Sequence, residues 1–525
     1  MNQDKIPEKL ILAIDNGTQS IRALLFDLSG NLVAKSQITL TPYFSNQPGW
    51  AEQNADYFWQ MLAQCCQELW QQEYVLLHNL KTKIIAATLT TQRGSVINLD
   101  KNGKPLRPAM LWLDQRLADK PKKMPWYWRI AFTCIGQSSV IEYFRRKAQA
   151  NWIAQHQPDV WQKTDKFLLL SGYLTYQLTN NFNDSVASIV GYLPFNYKKQ
   201  CWASKFDWKW KALKVTPAML PNLVKPGEQL GKITEQAAQF TGLPVGLTLI
   251  ASASDKACEV LGSGCISPNT ASLSYGTTAT INTNNSRYIE PLRFIPPYPS
   301  AIPNHYNSEV MIYRGFWMIN WFKEEFGLLE TQQAKALGVS PESLFDELVA
   351  TVPPGSMGLM LQPYWSPGLK NLEAKGAILG FGDVHTRAHV YRAILEGLAY
   401  ALREGKESLQ KKQGCKVTQL IVSGGGSQSD AVLQLTADIF NLPTYRPHTY
   451  ETSGLGAAIN TAVGMGVYGN YSDAVQAMTR TEASFIPQQD NVQLYDQLYS
   501  KVYKKMYRQL KPIYQNIKEI TGYPQ

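Results

Sequence analysis

The sequence predicts a two-domain α/β protein of duplicated design, and three observations carry that prediction. The chain has 525 residues, whereas a single hydrophobic core stops growing near about 250–300 residues. Its composition, 44% apolar and 18% charged, is that of a globular chain and not of a disordered one. Each half opens with the same pattern, a strand, a glycine-containing turn and a second strand, with helices to follow.

In chain order, Leu10–Asp15 is a buried-strand run, and Ile21–Leu28 and Leu32–Leu40 follow it across two tight turns. Three short strands joined by tight turns predict an antiparallel meander. Helical periodicity then runs from Asn54, a natural N-cap, to Val75. Lys83–Leu89 is a strand, and Leu247–Ala251 is another before a helical pattern that opens at Asp255. After the midpoint, strands Ala271–Tyr275 and Ala279–Thr283 flank a Gly-Thr-Thr turn. Later come a long amphipathic helix at Arg387–Gln410, a strand at Gln419–Val422, and helices at Asp430–Phe440 and Gly454–Gly464. No low-complexity linker divides the halves, and the boundary is expected near Asp255–Ser267.

The net charge is +10. Much of the excess lies in 120–147, where Trp126, Tyr127 and Trp128 stand among Lys120, Lys122, Lys123, Arg129 and Arg145, and in a basic C-terminal tail. Such a stretch can track a nucleic-acid backbone. A solvated face with packed aromatics explains it more simply, and a positive field also suits an enzyme of anionic substrates such as ATP. Seven scattered cysteines, an odd number with no C-x-x-C pair, signal neither a disulfide framework nor a zinc site. No apolar run reaches the ~20 residues a bilayer demands, and the first ten residues lack a secretory apolar core. The expectation is a cytoplasmic protein with no nucleic-acid or membrane partner.

Four segments carry candidate chemistry. In Asp15-Asn-Gly-Thr-Gln-Ser-Ile-Arg22, backbone N–H groups around Gly17 and the hydroxyls of Thr18 and Ser20 suit phosphate oxygens, and Arg22 adds charge-assisted donors. Asp15 suits Mg²⁺, which takes oxygen ligands. A second turn, Ser274-Tyr-Gly-Thr-Thr278, repeats the theme with Gly276 and Thr277. Either turn alone is equally an ordinary hairpin. Neither is a Walker A loop, and no G-x-G-x-x-G occurs. The third, Ser423-Gly-Gly-Gly-Ser427, follows a strand; Gly425 and Gly426 would let a flat adenine approach the backbone, with Ser429 at the helix start, though a tight strand-to-helix turn explains the same glycines. In the fourth, Ser252-Ala-Ser-Asp255, the acid at a helix start is either a cap or a general base.

Together and in this order, these segments resemble the FGGY carbohydrate kinases, the family of glycerol kinase and the pentulose kinases, from about Leu10 to Phe485. Pro48-Gly-Trp-Ala-Glu52, Thr91-Gln-Arg-Gly94, Trp112-Leu-Asp-Gln-Arg116 and Arg392-Ala-Ile-Leu-Glu-Gly397 are similar to further motifs of that family. The resemblance implies two actin-like, ribonuclease-H-like domains with a nucleotide cleft between them. It implies a division into an N-terminal kinase domain at 1–257, a C-terminal one at 258–485 and a basic helical tail at 486–525. It implies ATP and Mg²⁺, phosphate contacts from the two turns, Asp255 as catalytic base, and a small sugar or polyol held by Gln92, Arg93, Trp112, Asp114, Asp255 and Lys256. A homodimer is left open.

Two departures bear on the acceptor. Gly94 stands where glycerol kinases carry Glu and pentulose kinases His, and Lys256 stands where glycerol kinases carry Gln. Lys256 either meets an acidic or phosphorylated acceptor or pairs with Glu259. The competing reading is an actin-like ATPase that lacks acceptor chemistry.

Overall fold

The computed structural model describes residues 6–119, 123–276, 278–291, 295–338, 341–365 and 373–523. These form two compact units. The first gathers 6–262, Tyr298–Tyr306 and Glu451–Thr479; the second gathers the described parts of Ser263–Pro297, Asn307–Tyr450 and Arg480–Gln525.

The first unit is built on a sheet of β1 (Leu10–Asn16), β2 (Ser20–Asp27), β3 (Leu32–Thr39), β4 (Ile84–Thr91), β5 (Gln229–Lys232) and β6 (Thr248–Ala251). Its spatial order is β5-β6-β4-β1-β2-β3. The expected meander is present, because β2 pairs antiparallel with β1 and with β3. β1 then pairs parallel with β4, and β4 with β6. All seven residues of β1 are buried, as a strand covered on both faces requires. One cover is the helix Ala55–Gln71, whose Phe58, Leu62, Cys66 and Leu69 join the core of Leu10, Leu12 and Ile14. Asn54 caps it, accepting from the Asp56 N–H at 3.1 Å.

The helical stretch that the periodicity predicts to Val75 is present but broken in two. The first helix stops at Gln71, and Gln72 turns extended with φ −63° and ψ 131°. There the Gln72 side-chain amide donates to the Lys35 carbonyl at 2.8 Å, and a second short helix, Glu73–Leu77, resumes directly beyond the break. Helix Thr452–Gly464 also belongs to the first unit and packs on β1, β4 and β6. It meets helix Asp255–Gly262 almost backbone to backbone. A Cβ on Gly456 would lie 1.9 Å from the Cys258 carbonyl oxygen, and one on Gly262 would lie 2.0 Å from that of Thr452.

The second unit repeats the design with β7 (Thr270–Tyr275), β8 (Ala279–Asn285), β9 (Tyr306–Ile312), β10 (Gln419–Ser423), β11 (Thr444–Pro447) and β12 (Thr481–Phe485). They are six of the seven strands of one sheet and run β9-β8-β7-β10-β11-β12 in space. β7 is antiparallel to β8 and parallel to β10, β10 is parallel to β11, and β12 closes the edge antiparallel. The central pairings match those of the first sheet, one antiparallel pair, two parallel pairs and an antiparallel edge, as the ribonuclease-H-like duplication implied by the resemblance requires.

Helix Arg387–Gln413 forms the spine of the second core and ends at Gly414, whose φ of +67° suits glycine. The basic tail is an integral part of this unit. Helices Gln489–Gln497 and Lys504–Thr521 flank a π-helical turn, and Tyr495, Tyr499, Tyr503 and Met506 enter the core. The stretch 120–147 is helical at Trp126–Cys134 and Ser138–Lys147; Lys120 and Lys122 lie outside the described residues. Trp128, Phe132 and Phe144 pack with Trp208, while Trp126 is 71% exposed.

Candidate active site

Three parallel strands of the first unit end side by side. Register pairs Asp15 with Thr90 and Asn16 with Thr91 across β1 and β4, and Leu89 with Ala251 across β4 and β6. In open α/β sheets, ligands bind beyond the carboxyl ends of such strands. Here those ends deliver Asp15, Gln92 with Arg93, and Asp255.

The first turn is tight, with the Gly17 N–H donating to the Ser20 carbonyl at 3.0 Å. Asp15 is buried, and Arg22 donates to its Oδ2 at 3.0 Å. Burial pushes the Asp15 carboxyl up to about 7, against the pull of Arg22 and with added repulsion from Asp255 and Glu451. Arg22 also meets Glu451 at 3.4 Å, and Lys35 pairs with the same carboxylate. Glu451 lies more than 400 residues downstream, and no local signal in the sequence points to it.

Asp255 opens its helix and accepts the Lys256 N–H at 2.7 Å. Burial raises its carboxyl above the ordinary range, opposed by Arg93 and then Lys256. Of the two readings of Lys256, the structure displays the pairing with Glu259, at 2.7 Å. Thr18 Oγ1 donates to Gln92 Oε1 at 2.9 Å and accepts from Trp112 Nε1 at 3.0 Å. Four buried polar atoms here have no protein partner, namely Asp15 Oδ1, Asn16 Oδ1 and Nδ2, and Gln92 Nε2. Buried polar groups are nearly always satisfied, so atoms of this kind gathered at one strand edge fit a polar ligand.

Asp114 stands apart in its partners. Arg116 clasps it through Nε and Nη2, its Oδ2 accepts the Ala51 N–H at 2.9 Å, and Arg116 continues to Glu52 at 2.7 Å. The Arg116 guanidinium lies over Trp50 and Trp152, at 4.0 and 4.5 Å. This buried cluster braces the segment that presents Trp112.

In the second unit, β7 and β10 end in register at Ser274 and Ser423. Gly276 follows β7 and accepts the Phe316 N–H at 3.1 Å; Thr277 lies outside the described residues. The three glycines after β10 have different reasons. Gly424 has φ +82°. A Cβ on Gly426 would strike Phe316 Cε1 at 2.2 Å, whereas a Cβ on Gly425 meets nothing within 4 Å. Ser429 caps helix Asp430–Phe440 by accepting the Val432 N–H at 3.1 Å and donates to Asp346 at 2.7 Å. The Arg392–Gly397 motif is inward-facing. Glu396 accepts from Arg392, Tyr495, the Gly355 N–H and Ser356 at 2.8–3.0 Å.

Family models of the N-terminal and C-terminal domains of the FGGY carbohydrate kinases match residues 10–262 and 271–465. This chain belongs to the FGGY family. It is a carbohydrate kinase, and kinases of this family use ATP to phosphorylate small-molecule substrates. It is 32% identical to an uncharacterized sugar kinase of Escherichia coli (strain K12), over 93% of this chain and 91% of the relative. It is 28% identical to a xylulose kinase of Lactococcus lactis subsp. lactis (strain IL1403), over 97% of each. A gluconate kinase structure from Lactobacillus acidophilus superposes with a TM-score of 0.80 at 21% identity, covering 97% of this kinase and 99% of that chain; at that identity the likeness speaks to fold. No helix among the described residues of the kinase is long and apolar enough to cross a membrane.

Proposed function

We propose that this kinase transfers the γ-phosphoryl group of ATP to a hydroxyl of a small sugar or polyol, with Asp255 as general base. The observation that carries this reading is the meeting of Asp15, Gln92, Arg93 and Asp255 at the ends of three parallel strands, with buried polar atoms left for a ligand. Asp255, held basic by burial yet kept ionisable by Arg93 and Lys256, takes the proton from the attacked hydroxyl. Arg93, Gln92 and Trp112 hold the acceptor, Asp114 and Lys256 border it, and the turn at Gly17, Thr18, Ser20 and Arg22 receives phosphate oxygens. On the nucleotide side, Gly276 and Thr277 supply the second phosphate turn, and the open face of Gly425, with Gly426 and Ser429, receives the adenosine.

The donor set also fits Mg²⁺. Among the described residues no cluster of three His, Cys, Asp or Glu side chains could hold a metal alone, but a nucleotide-borne Mg²⁺ needs only one or two protein carboxylates, and Asp15 has an unpartnered oxygen. When bound, Mg²⁺ supplies neutralisation of phosphate charge. We place the kinase in the cytoplasm, with small molecules as substrates, no nucleic-acid role, and a homodimer to be sought by light scattering.

A coupled ADP-release assay tests the proposal over xylulose, ribulose, glycerol, erythritol and their acid and phosphate relatives. ADP release that depends on one acceptor supports it. A release rate that no acceptor changes overturns it in favour of an actin-like ATPase.

A further inference from the structure

Residues Tyr298–Tyr306 lie in the sequence between two stretches of the second unit but fold into the first. The segment is pinned at its far end. Tyr306 donates its hydroxyl to the Lys198 carbonyl at 2.6 Å, and the Gln200 amide donates to the His305 carbonyl at 2.8 Å. Its near end places the Tyr298 ring under the Arg93 guanidinium, with Cζ 5.0 Å from the ring centroid. That lies within the range where an aromatic face attracts a cation. Tyr298 also meets the Tyr197 ring in an edge contact, with centroids 6.1 Å apart. Tyr197 is tethered through its hydroxyl to the backbone of Gly191, at 3.3 Å from N and 3.2 Å from O. Gly191 in turn lies against Gly94, where an added Cβ would come 3.8 Å from the Gly94 Cα. A closed circuit of neighbours therefore runs from Arg93 through Tyr298, Tyr197, Gly191 and Gly94 back to Arg93.

The circuit contains two glycines side by side. Gly94 has φ +70°, while a Cβ there would find only ordinary contacts, 3.5 Å to Trp112 and 3.7 Å to the Val190 oxygen. Conformation, not space, therefore calls for glycine, and the absent side chains leave room beside Trp112. Because Gly94 has no side chain, it can offer Arg93 no lateral support. An arginine carries about 2 kcal/mol of rotamer entropy. A ring against one face removes part of that cost before the acceptor arrives.

We infer that Tyr298 is an acceptor-specificity residue, holding the Arg93 guanidinium against its ring in the orientation in which Arg93 meets a polyhydroxy acceptor beside Gly94 and Gly191. The inference rests on the acceptor reading of Arg93 given above. It adds a residue from a distant stretch of the chain, whose place at the acceptor side is invisible in the local sequence.

The test compares Tyr298→Phe, Tyr298→Leu and a series in which phenylalanine at 298 carries one, two and three ring fluorines. Acceptor KM should stay near the wild-type value in Tyr298→Phe. It should rise about two- to thirty-fold in Tyr298→Leu, the range that corresponds to a cation–π contact. It should also climb with each fluorine, because fluorine drains the ring face while keeping its shape, and this series remains informative should the Leu variant fail to fold. ATP KM should not move in any of them. A flat fluorine series, or equal rises in both KM values, overturns the inference. Wild-type protein that phosphorylates no acceptor in the panel instead overturns the kinase proposal beneath it.

Discussion

Trp112 and Thr18 share a hydrogen bond, Nε1 to Oγ1 at 3.0 Å, and through Thr18 the indole is coupled to Gln92. The sequence motifs assign Trp112 to the acceptor and Thr18 to phosphate, yet the two side chains form one unit. An acceptor that orders the indole therefore also orders the hydroxyl proposed to meet the transferring phosphoryl group. Such positioning, more than covalent chemistry, is what phosphoryl transfer asks of a protein.

Asp255→Asn keeps the shape and removes the base. Turnover should fall on the order of 10²–10⁴-fold, with ATP affinity unchanged by equilibrium binding. Turnover within a few-fold of the wild-type would exclude Asp255 as the base.

Asp15 makes stability depend on pH. Its carboxyl holds a proton to about 7 in the folded chain, against an ordinary value of 3.8. Between those values the native state binds a proton that the unfolded state has lost, so stability falls as pH rises through this window and levels off above it. Asp15→Asn should therefore be more stable than the wild-type in urea at pH 8, with the gap closing toward pH 4. A gap of constant size would contradict the raised value.

The glycine turn offers a paired experiment. Gly425→Val should fold normally, since its Cβ meets open space, but should weaken nucleotide binding. Gly426→Ala should instead lose stability, by roughly 1–3 kcal/mol as overpacking typically costs, because its methyl would collide with Phe316. Calorimetry of unfolding and of nucleotide binding separates the two outcomes. Unchanged nucleotide affinity in Gly425→Val would remove the adenosine from this turn.

Asp114→Ala strips Arg116 of its bidentate partner inside a buried cluster. The expected cost is about 3–5 kcal/mol of unfolding free energy, read by chemical denaturation. If stability held while acceptor KM rose, Asp114 would be touching the acceptor directly instead of bracing Trp112.

Much of this was legible in the chain. The meander at Leu10–Thr39, the strand ends at Asp15, Gln92 and Asp255, and the glycines after β10 all announce themselves through period, turn residues and spacing. What escaped is tertiary. The Ala55–Gln71 helix ends where a side chain captures the Lys35 carbonyl, and no periodicity encodes that bond. Glu451 and Tyr298 reach the first unit from stretches whose neighbours in sequence belong to the second. A cut at 257/258 keeps Thr452–Gly464 with the later half, while in space that helix seals against Asp255–Gly262.

That late return of Thr452–Gly464 has a consequence for biosynthesis. The helix that carries Asp255 has its glycine-lined partner only after the ribosome has made more than 200 further residues, on the order of ten to forty seconds at typical elongation rates. Until then the nascent first unit exposes the apolar surface of its central strands. A fragment stopped at Gly262 inherits the same exposed face permanently, so it should need a chaperone or the missing helix supplied in trans to remain in solution.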